Sequence, residues 1–374
     1  MKRFIAFTAF LFASFLSFAQ QQFLIVGTYT GGKSEGVYVF SFDSRNGDAR
    51  EVSHVKTSNP SFVAISPDKQ FVYAVHEDAA SNGKGGEISA YRFNKSTGKL
   101  VYINQAPTGG DHPCFVEVDR TGKWVFAGNY TSGSLSVLPV KPGGGVGEPI
   151  QTIQHEGSGP NRERQEKPHV HCTLMSADNR FLFVPDLGID RVMIYEFDSR
   201  TGKLKAARQP FVQSPGGAGP RHITFHPSNR YAYLVEELTG TVEVYQYQSG
   251  NLKQVQRIST MPAGDTSFPG SADIHVSPDG KFLYASNRST VNTLAIFRIS
   301  PVTGLLQLIG HQSTLGQTPR NFNFDPSGKF LLVANQNSDQ VVIFRRDSKT
   351  GLLTDTGRRI DVGKPVCLRW MPVQ

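Results

Sequence analysis

The stretch SPDGKFLYASN (277–287) sets the fold, because variants of it recur along the whole chain. It joins a Pro-Asp-Gly turn to an apolar strand, a combination in which turn residues stop one strand and start the next. Copies of the turn read SPDKQF (66–71), DRTGKW (119–124), SADNRF (176–181), HPSNRY (226–231) and DPSGKF (325–330). The copies lie about 50 residues apart, and a regular period of this length indicates a repeat architecture.

A second marker supports the same period. Strands that alternate apolar and polar residues, such as VMIYEF (192–197), each precede a turn with a central glycine. These turns read STGKL (96–100), RTGKL (200–204), QSGNL (248–252), VTGLL (302–306) and KTGLL (349–353). Alternation with a period of two is typical of β-strands, and no segment keeps a helical period. Four strands in each repeat of this length predict an all-β propeller with one blade per repeat.

The two ends of the chain predict how the ring closes. VCLRWMP (366–372) is a seventh copy of the strand before the turn, and the chain stops there. FLIVGTY (23–29) and GVYVFSF (36–42) supply the strands that this blade needs next. We therefore expect a seven-bladed propeller in which the N- and C-terminal strands pair in one blade, leaving no free sheet edge. Residues 20–374 are expected to form this single domain, and the closed ring favours a monomer.

Residues 1–19 have the composition of a signal peptide. Lys2 and Arg3 precede an apolar run that ends at Ala19, before Gln20. The run is short for a membrane span and no stop-transfer pattern follows, although an uncleaved anchor is the alternative. We expect the mature chain to be exported, to a periplasm or out of the cell, with no membrane contact after removal of the leader.

Charge and cysteine content exclude several classes of function. The formal net charge is +8, from 39 Lys and Arg against 31 Asp and Glu. Because these cations are spread along the chain with no basic run, we expect no nucleic-acid partner, and a small anionic ligand remains open. Three cysteines are too few for a disulfide scaffold, and Cys172 and Cys367 fall in separate blades. The one Gly-x-Ser-x-Gly match, GKSEG (32–36), lies between two predicted strands rather than between a strand and a helix, so the sequence offers no nucleophile elbow, which argues against a serine hydrolase.

Alignment of the repeats predicts which side chains face the channel. The positions six residues before the second turn residue are Ser61, Cys114, His171, Arg221, Ala272, Arg320 and Val366. The positions ten residues after it are Glu77, Tyr130, Leu187, Glu237, Arg288 and Gln336, with Tyr29 as the seventh. A purely structural repeat would keep these positions similar, whereas here they differ and charges concentrate among them. The pattern predicts one asymmetric site at the channel mouth.

Several motifs carry a family resemblance. They are VGTYT (26–30), PHVH (168–171), PDLGIDRV (185–192), GPRHITFHP (219–227), VEEL (235–238), SNR (286–288) and TPRNF (318–322). With them, the whole mature chain resembles the seven-bladed lactonase family, which includes bacterial 6-phosphogluconolactonases and fungal carboxymuconate lactonising enzymes. Where that family usually has Asn-Glu, this chain has Glu236-Glu237, so Glu237 keeps the family's Glu.

The resemblance implies three catalytic residues. His171 matches the second His of the family's His-x-His, Arg221 its Gly-Pro-Arg-His, and Glu237 its Glu-Leu. Lactone hydrolysis needs an activated water and a stabilised tetrahedral oxyanion. We expect Glu237 or His171 to take the proton of the water, and Arg221 to stabilise the oxyanion.

Four further residues are expected to contact the substrate. Arg288, which matches the family's Ser-Asn-Arg, and Arg320 would hold a carboxylate or phosphate, and His169 and Glu77 complete the set. His169 and His171 share a strand face and could form a zinc pair. Since no third Cys, His or carboxylate ligand is evident, we predict no metal and no other cofactor.

The sequence favours a hydrolase of sugar lactones similar to 6-phosphogluconolactonase. Two alternatives stay open: a muconate-type lactonising or ring-opening isomerase, and a non-catalytic propeller that binds a ligand or protein. The predicted leader bears on the substrate, because 6-phosphogluconolactone is a cytoplasmic metabolite. An unphosphorylated aldonolactone or another carboxylated lactone is the alternative substrate.

Overall fold

The computed structural model describes residues 21–79 and 85–371, so the predicted leader (1–19) lies outside the described residues. Within these ranges the chain forms seven four-stranded antiparallel sheets and two short 3₁₀ helices, Leu187–Ile189 and Gln336–Ser338. No helix of this part of the chain is long and apolar enough to cross a membrane. The predicted all-β, seven-bladed propeller is confirmed.

Each blade consists of four strands that follow one another from the channel outward. Blade 7 takes its three outer strands from the N-terminus: β1 (Gln21–Thr28), β2 (Gly36–Asp43) and β3 (Asp48–Lys56). Blade 1 contains β4 (Val63–Ile65), β5 (Phe71–His76), β6 (Glu87–Asn94) and β7 (Lys99–Pro107). Blade 2 contains β8 (Pro113–Val118), β9 (Trp124–Asn129), β10 (Ser134–Pro139) and β11 (Gln151–Gln154). Blade 3 contains β12 (Leu174–Met175), β13 (Phe181–Asp186), β14 (Arg191–Asp198) and β15 (Lys203–Gln213).

The remaining blades have the same order. Blade 4 contains β16 (Pro220–Phe225), β17 (Tyr231–Glu236), β18 (Thr241–Gln248) and β19 (Asn251–Ser259). Blade 5 contains β20 (Ile274–Val276), β21 (Phe282–Asn287), β22 (Thr293–Ile299) and β23 (Leu306–Ser313). Blade 6 contains β24 (Pro319–Phe324), β25 (Phe330–Asn335), β26 (Gln340–Arg346) and β27 (Leu353–Asp361). The inner strand of blade 7 is β28 (Pro365–Met371).

The ring closes by pairing of the two chain ends, as predicted. Strand β28 pairs antiparallel with β1, and Phe23 lies opposite Met371 at one end of the ladder. Val26 lies opposite Leu368 further along the same ladder. Because hydrogen bonds join strands at opposite ends of the sequence, blade 7 stays closed only while both ends are in place.

Turn chemistry explains why one hexapeptide recurs. The Ser277 hydroxyl accepts from the Phe282 amide at 3.0 Å and donates to the Asp279 carboxylate at 2.6 Å. The fourth turn residue, Gly280, has a φ of 71°, a left-handed conformation that glycine and asparagine adopt most readily. The equivalent left-handed positions are Lys69, Gly122, Asn179, Asn229 and Gly328. The pattern therefore records a backbone requirement that is repeated in six blades.

The two sequence markers meet between neighbouring blades. The aromatic residue that ends the hexapeptide packs against a glycine of the outer turn in the next blade, as Phe282 does on Gly351. The same contact recurs around the ring as Phe23–Gly98, Phe71–Gly144, Trp124–Gly202, Phe181–Gly250, Tyr231–Gly304 and Phe330–Gly47. The Tyr284 hydroxyl adds a hydrogen bond to the Gly351 carbonyl at 2.6 Å. At each of these outer turns an aromatic ring occupies the place where a Cβ would stand, which explains why the turn has a glycine there.

Amide side chains also join neighbouring blades. Gln151 of blade 2 donates to the Leu204 carbonyl of blade 3 at 2.9 Å and accepts from the Leu204 amide at 2.8 Å. Gln209 makes the same pair of bonds with Leu252 in the next blade. Each amide extends the backbone pairing across a blade boundary, where the sheets themselves do not bond.

Gly351→Ala should destabilise the ring more than Gly357→Ala. Both glycines have a positive φ, 79° and 73°, but a Cβ at Gly351 would lie 2.5 Å from the Phe282 ring, whereas Gly357 has nothing within 4 Å. Overpacking of this kind costs about 1–3 kcal/mol beyond the shared backbone strain. Urea unfolding of the two variants measures the difference, and equal losses would contradict the assigned role of the contact.

Candidate active site

A cavity of about 460 Å³ opens at one end of the central channel, where the second strands of several blades finish. The residues that line it are Tyr29, Glu77, Cys114, Tyr130, Arg164, His171, Glu237, Phe268, Gly270, Arg288, Ser289, Thr318 and Arg320. Five of the seven predicted site residues are in this lining: Glu77, His171, Glu237, Arg288 and Arg320. Alignment of the repeats therefore located residues that the fold brings together.

Glu237 is the centre of the charges in this cavity. Its carboxylate accepts from Arg164 at 2.6 Å, from Arg221 at 2.9 Å and lies 3.0 Å from Arg288. Only 5% of its side chain is exposed. Burial alone would raise the pKa of Glu237, but the positive charges of Arg288, Arg221 and Arg164 outweigh burial and hold the pKa well below its usual range. The carboxylate is consequently ionised and a weak proton acceptor.

Arg221 lies beneath the main cavity rather than in its wall. It is 1% exposed, and its Nε donates to Glu237 while its Nη1 donates to the Ala272 carbonyl. It faces a smaller void of about 10 Å³, which His171 and Arg320 also line. Among the described residues, Nη2 of Arg221 has no hydrogen-bond partner. This nitrogen is a donor held ready at the bottom of the site.

His171 lies between the cavity and the smaller void. It is 5% exposed, and its Nδ1 is 3.8 Å from the Cys114 sulfur. Burial, together with the positive charge of Arg221, holds the pKa of His171 well below its ordinary value. The imidazole is therefore neutral at pH 7 and has a nitrogen lone pair available. The adjacent Cys114 is a poor nucleophile, because burial raises the pKa of its thiol.

Arg320 and Glu77 also line the main cavity. The Arg320 guanidinium lies over the Tyr29 ring, 5.3 Å from its centroid, and has no hydrogen bond or ion pair within residues 21–79 and 85–371. Glu77 accepts from the Tyr29 hydroxyl at 2.8 Å and from the Ser61 hydroxyl. Of the arginines at the site, Arg320 is thus the one whose guanidinium is not engaged by a carboxylate of the described chain.

Comparison with known proteins decides the family. The model of the family described as "Lactonase, 7-bladed beta-propeller" matches residues 23–370. A 6-phosphogluconolactonase of Formosa agariphila is 38% identical over 334 residues, covering 88% of this chain and 94% of the relative. A 6-phosphogluconolactonase of Bacillus subtilis is 35% identical over 350 residues, covering 92% and 97%.

This chain belongs to the seven-bladed β-propeller lactonase family. The prediction of a lactone hydrolase, a carboxylic-ester hydrolase similar to 6-phosphogluconolactonase, is confirmed at this level. A solved structure agrees: the periplasmic gluconolactonase of Pseudomonas aeruginosa has a TM-score of 0.89 and 38% identity, covering 95% of this chain and 100% of that one.

Two predicted residues of this lactonase lie outside the lining of the main cavity. Arg221 is one, and it reaches the smaller void instead. His169 is the other: its ring stacks on Tyr130 with centroids 4.5 Å apart, and its nitrogens bond to the Tyr130 carbonyl and the Glu166 carboxylate. The Tyr130 ring contacts both His169 and His171, so the two imidazoles do not converge. The described residues contain no group of three or more metal-ligating side chains.

Arg164 is the functional candidate that the sequence did not reveal. It lies in the connection between β11 and β12 (155–173), which is longer than the corresponding connections of the other blades, so alignment of the repeats could not find it. Gln165 fixes this segment by donating to the Leu187 carbonyl and to Asp190, at 2.8 and 2.7 Å. The neighbouring Glu236 points away from the cavity and pairs with Arg257 at 2.7 Å.

Glu237→Gln should destabilise the lactonase, because three guanidiniums lose their counter-charge in a buried site. Loss of one partner from a buried ion pair costs about 3–5 kcal/mol. The folded pKa of Glu237 is depressed, so its contribution is complete above the unfolded pKa of about 4.3 and fades as the pH falls below that value.

Thermal unfolding at several pH values measures this difference, with Glu87→Gln as the control at a carboxylate that is 36% exposed. Equal melting temperatures of wild type and Glu237→Gln at pH 7 would contradict the role of Glu237 as the shared counter-charge.

Proposed function

We propose that this lactonase hydrolyses a sugar lactone in the cavity at the channel end. One observation carries the proposal: a neutral His171 and a free donor nitrogen of Arg221 face the same small void beside the cavity. A void of about 10 Å³ has room for about one water. A proton acceptor, a cationic donor and space for water are the groups that ester hydrolysis needs.

The reaction proceeds through a tetrahedral intermediate. His171 accepts a proton from the water as its oxygen bonds to the lactone carbonyl carbon. The carbonyl oxygen becomes an oxyanion, and Nη2 of Arg221 donates to it. The ring carbon–oxygen bond then breaks, and the leaving alkoxide takes the proton back from the His171 imidazolium, which yields the hydroxy acid.

Glu237 is assigned a different role from that of the base. With three guanidiniums on its two oxygens, the carboxylate has little affinity for a proton. It holds Arg221 and Arg288 in place instead, which preorganises the donors that the oxyanion requires. Of the two candidates for the base that the sequence left open, the geometry favours His171.

Arg320 and Glu77 orient the substrate. The Arg320 guanidinium stacks on Tyr29 but makes no hydrogen bond or ion pair in the described chain, so it can bind a phosphate or carboxylate by two parallel hydrogen bonds. The Glu77 carboxylate, on the same wall, accepts from sugar hydroxyls as it does from Tyr29 and Ser61. Arg288 contributes a second positive charge on the side of Glu237. The site therefore takes a polyhydroxylated lactone with an anionic substituent, of which 6-phosphogluconolactone is the first candidate.

Gluconolactone without a phosphate is the second candidate. It is favoured by the predicted leader at residues 1–19 and by the likeness to a periplasmic gluconolactonase. On this proposal the mature protein is exported and works as a monomer on a small lactone, with no nucleic-acid or membrane partner. A muconate-type isomerase would use the same arginines but consume no water, and a purely binding propeller would turn nothing over.

Acid release in a pH-stat distinguishes these candidates. The panel contains 6-phosphogluconolactone, gluconolactone, galactonolactone and a muconolactone, with a Glu237→Gln/Arg221→Ala double variant as the inactive control. We expect hydrolysis by wild type only. Arg320→Gln should raise KM for the phosphorylated lactone by at least about tenfold, because two charged hydrogen bonds are lost or weakened, and should leave KM for gluconolactone nearly unchanged. No release above the spontaneous rate on any lactone would overturn the proposal.

The pH profile tests His171 as the base. Only the neutral imidazole accepts a proton, and its pKa is depressed, so kcat/KM should stay level from pH 8 to below the ordinary histidine pKa of about 6.5. His171→Gln should abolish this activity at every pH. An acid limb centred at or above that ordinary value would contradict the assignment.

A further inference from the structure

A chain of buried polar side chains lies beneath the cavity and crosses from blade 4 to blade 5. His222, on β16, points its Nδ1 at the Asp273 carboxylate, 2.8 Å away. The other oxygen of Asp273 lies 2.9 Å from Nε2 of His275. The far nitrogen of His222, Nε2, lies 3.4 Å from Nη1 of Arg221. Arg221 therefore rests on a histidine that is itself held by a carboxylate.

The position of Asp273 is fixed from several directions. Asn321 of blade 6 donates to the carboxylate through its side-chain amide, and the Phe322 amide donates at 3.3 Å. Asn321 in turn accepts from the Leu368 amide of blade 7 at 2.7 Å. Asp273 is 3% exposed, so a carboxylate inside the ring is tied to three blades. A group held in this way can transmit its orientation to His222.

Aromatic rings cover one side of the His222 imidazole. Phe62 and Phe115, on the opposite side of the channel, stand edge-on to the His222 ring with centroids 6.1 and 5.5 Å away. The two phenyl rings also contact one another at 4.0 Å. His222 is 6% exposed and lines the smaller void beside Arg221. In the described chain its ring nitrogens bond to Asp273 and Arg221.

The partners of His222 settle its tautomer. An ionised Asp273 only accepts, so the proton of the ring is on Nδ1 and the lone pair is on Nε2, facing the Nη1 donor of Arg221. The opposite tautomer would place two N–H donors against each other. The pKa of His222 is consistent with a neutral ring that has this tautomer, because burial and the neighbouring Arg221 lower it to about 4. Burial would raise the pKa of Asp273, but His275 and His222 outweigh it and hold that pKa well below its ordinary value.

We propose that the His222–Asp273 pair positions Arg221, fixing its guanidinium so that Nη2 faces the reacting carbonyl. The inference rests on the proposed function and adds two positioning residues to it. The acceptor nitrogen of His222 holds one side of the guanidinium, and Glu237 holds another. Neither residue lines the main cavity, His222 lines the smaller void beside Arg221, and Asp273 reaches Arg221 only through His222. Their role in the proposal is therefore to position Arg221 rather than to bind the substrate.

Asp273→Asn is the decisive variant. The asparagine amide donates to Nδ1 of His222, which moves the ring proton to Nε2 and turns it against Arg221. We expect kcat to fall by about 10²-fold, as for loss of one oxyanion donor, with KM changed by less than about threefold. His275→Gln is the matched control, because His275 bonds to the same carboxylate but does not contact Arg221; its kcat should stay within about threefold of wild type.

A second pair of variants and a spectroscopic readout keep the proposal independent of folding. His222→Gln keeps an acceptor for Arg221 and should retain more activity than His222→Leu, at matched melting temperatures. Ring ¹⁵N shifts of labelled histidine should show His222 protonated on Nδ1 in wild type and on Nε2 in Asp273→Asn. These shifts are measured without substrate, so they test the pair even if no lactone in the panel is hydrolysed.

Each outcome of these experiments either supports or overturns the proposal. Equal losses of kcat in Asp273→Asn and His275→Gln would overturn the proposal, as would an Nε2 proton on His222 in wild type. A loss confined to KM would also overturn it, because it would indicate a binding role. The expected ¹⁵N shifts would support it, together with a loss of kcat in Asp273→Asn and His222→Leu but not in His275→Gln.

Discussion

One buried carboxylate organises the charges of this lactonase. Glu237 accepts hydrogen bonds from Arg164 and Arg221 and forms an ion pair with Arg288. These arginines come from an inter-blade segment, from β16 and from the residue after β21. Without the carboxylate, three positive charges, two of them on largely buried side chains, would repel one another with little screening by water. With it, they stand as fixed donors around a cavity, and no reorganisation is needed when negative charge develops. The same arrangement makes Glu237 a weak base, and in the proposed mechanism that role falls to His171.

Such a cluster requires a closed ring. The partners of Glu237 lie far apart in the sequence and meet because seven blades hold their strand ends at one end of the channel. Ring closure depends on the β1–β28 ladder, and the spacing of the blades depends on aromatic–glycine contacts such as Phe282 on Gly351. A shift at a blade boundary would therefore move the arginines relative to their carboxylate. The stability of the scaffold and the geometry of the site therefore depend on the same contacts.

The sequence was sufficient for the fold, because each blade repeats two local requirements that can be read without coordinates. A left-handed residue in the hexapeptide turn marks six of the blades, and a glycine under the aromatic ring of the preceding blade marks all seven boundaries. The same register predicts Glu77, Glu237 and Arg288 at the ends of the second strands, and in the structure each directly follows such a strand. Register along a strand is a local property, so a single sequence carries it.

What the sequence could not supply is the pairing of side chains. Arg164 lies in an inter-blade connection that is longer than those of the other blades, so no alignment of repeats predicts its bond to Glu237. His169 was expected beside His171, but its nitrogens bond to a backbone carbonyl and to Glu166, and its ring turns onto Tyr130. The support of Arg221 by His222 and Asp273 likewise depends on packing across the channel.

The most direct test of the account is a double-mutant cycle on kcat/KM, with Glu237→Gln, Arg221→Lys and the combined variant measured on the best lactone substrate. Because Glu237 acts through its arginines in this account, the two substitutions should remove the same contribution. The kcat/KM of the combined variant should then be only slightly below that of the less active single variant. The expected coupling is at least about tenfold, or about 1.4 kcal/mol. Losses that simply multiply would contradict the account, because Glu237 would then act on the substrate independently of Arg221.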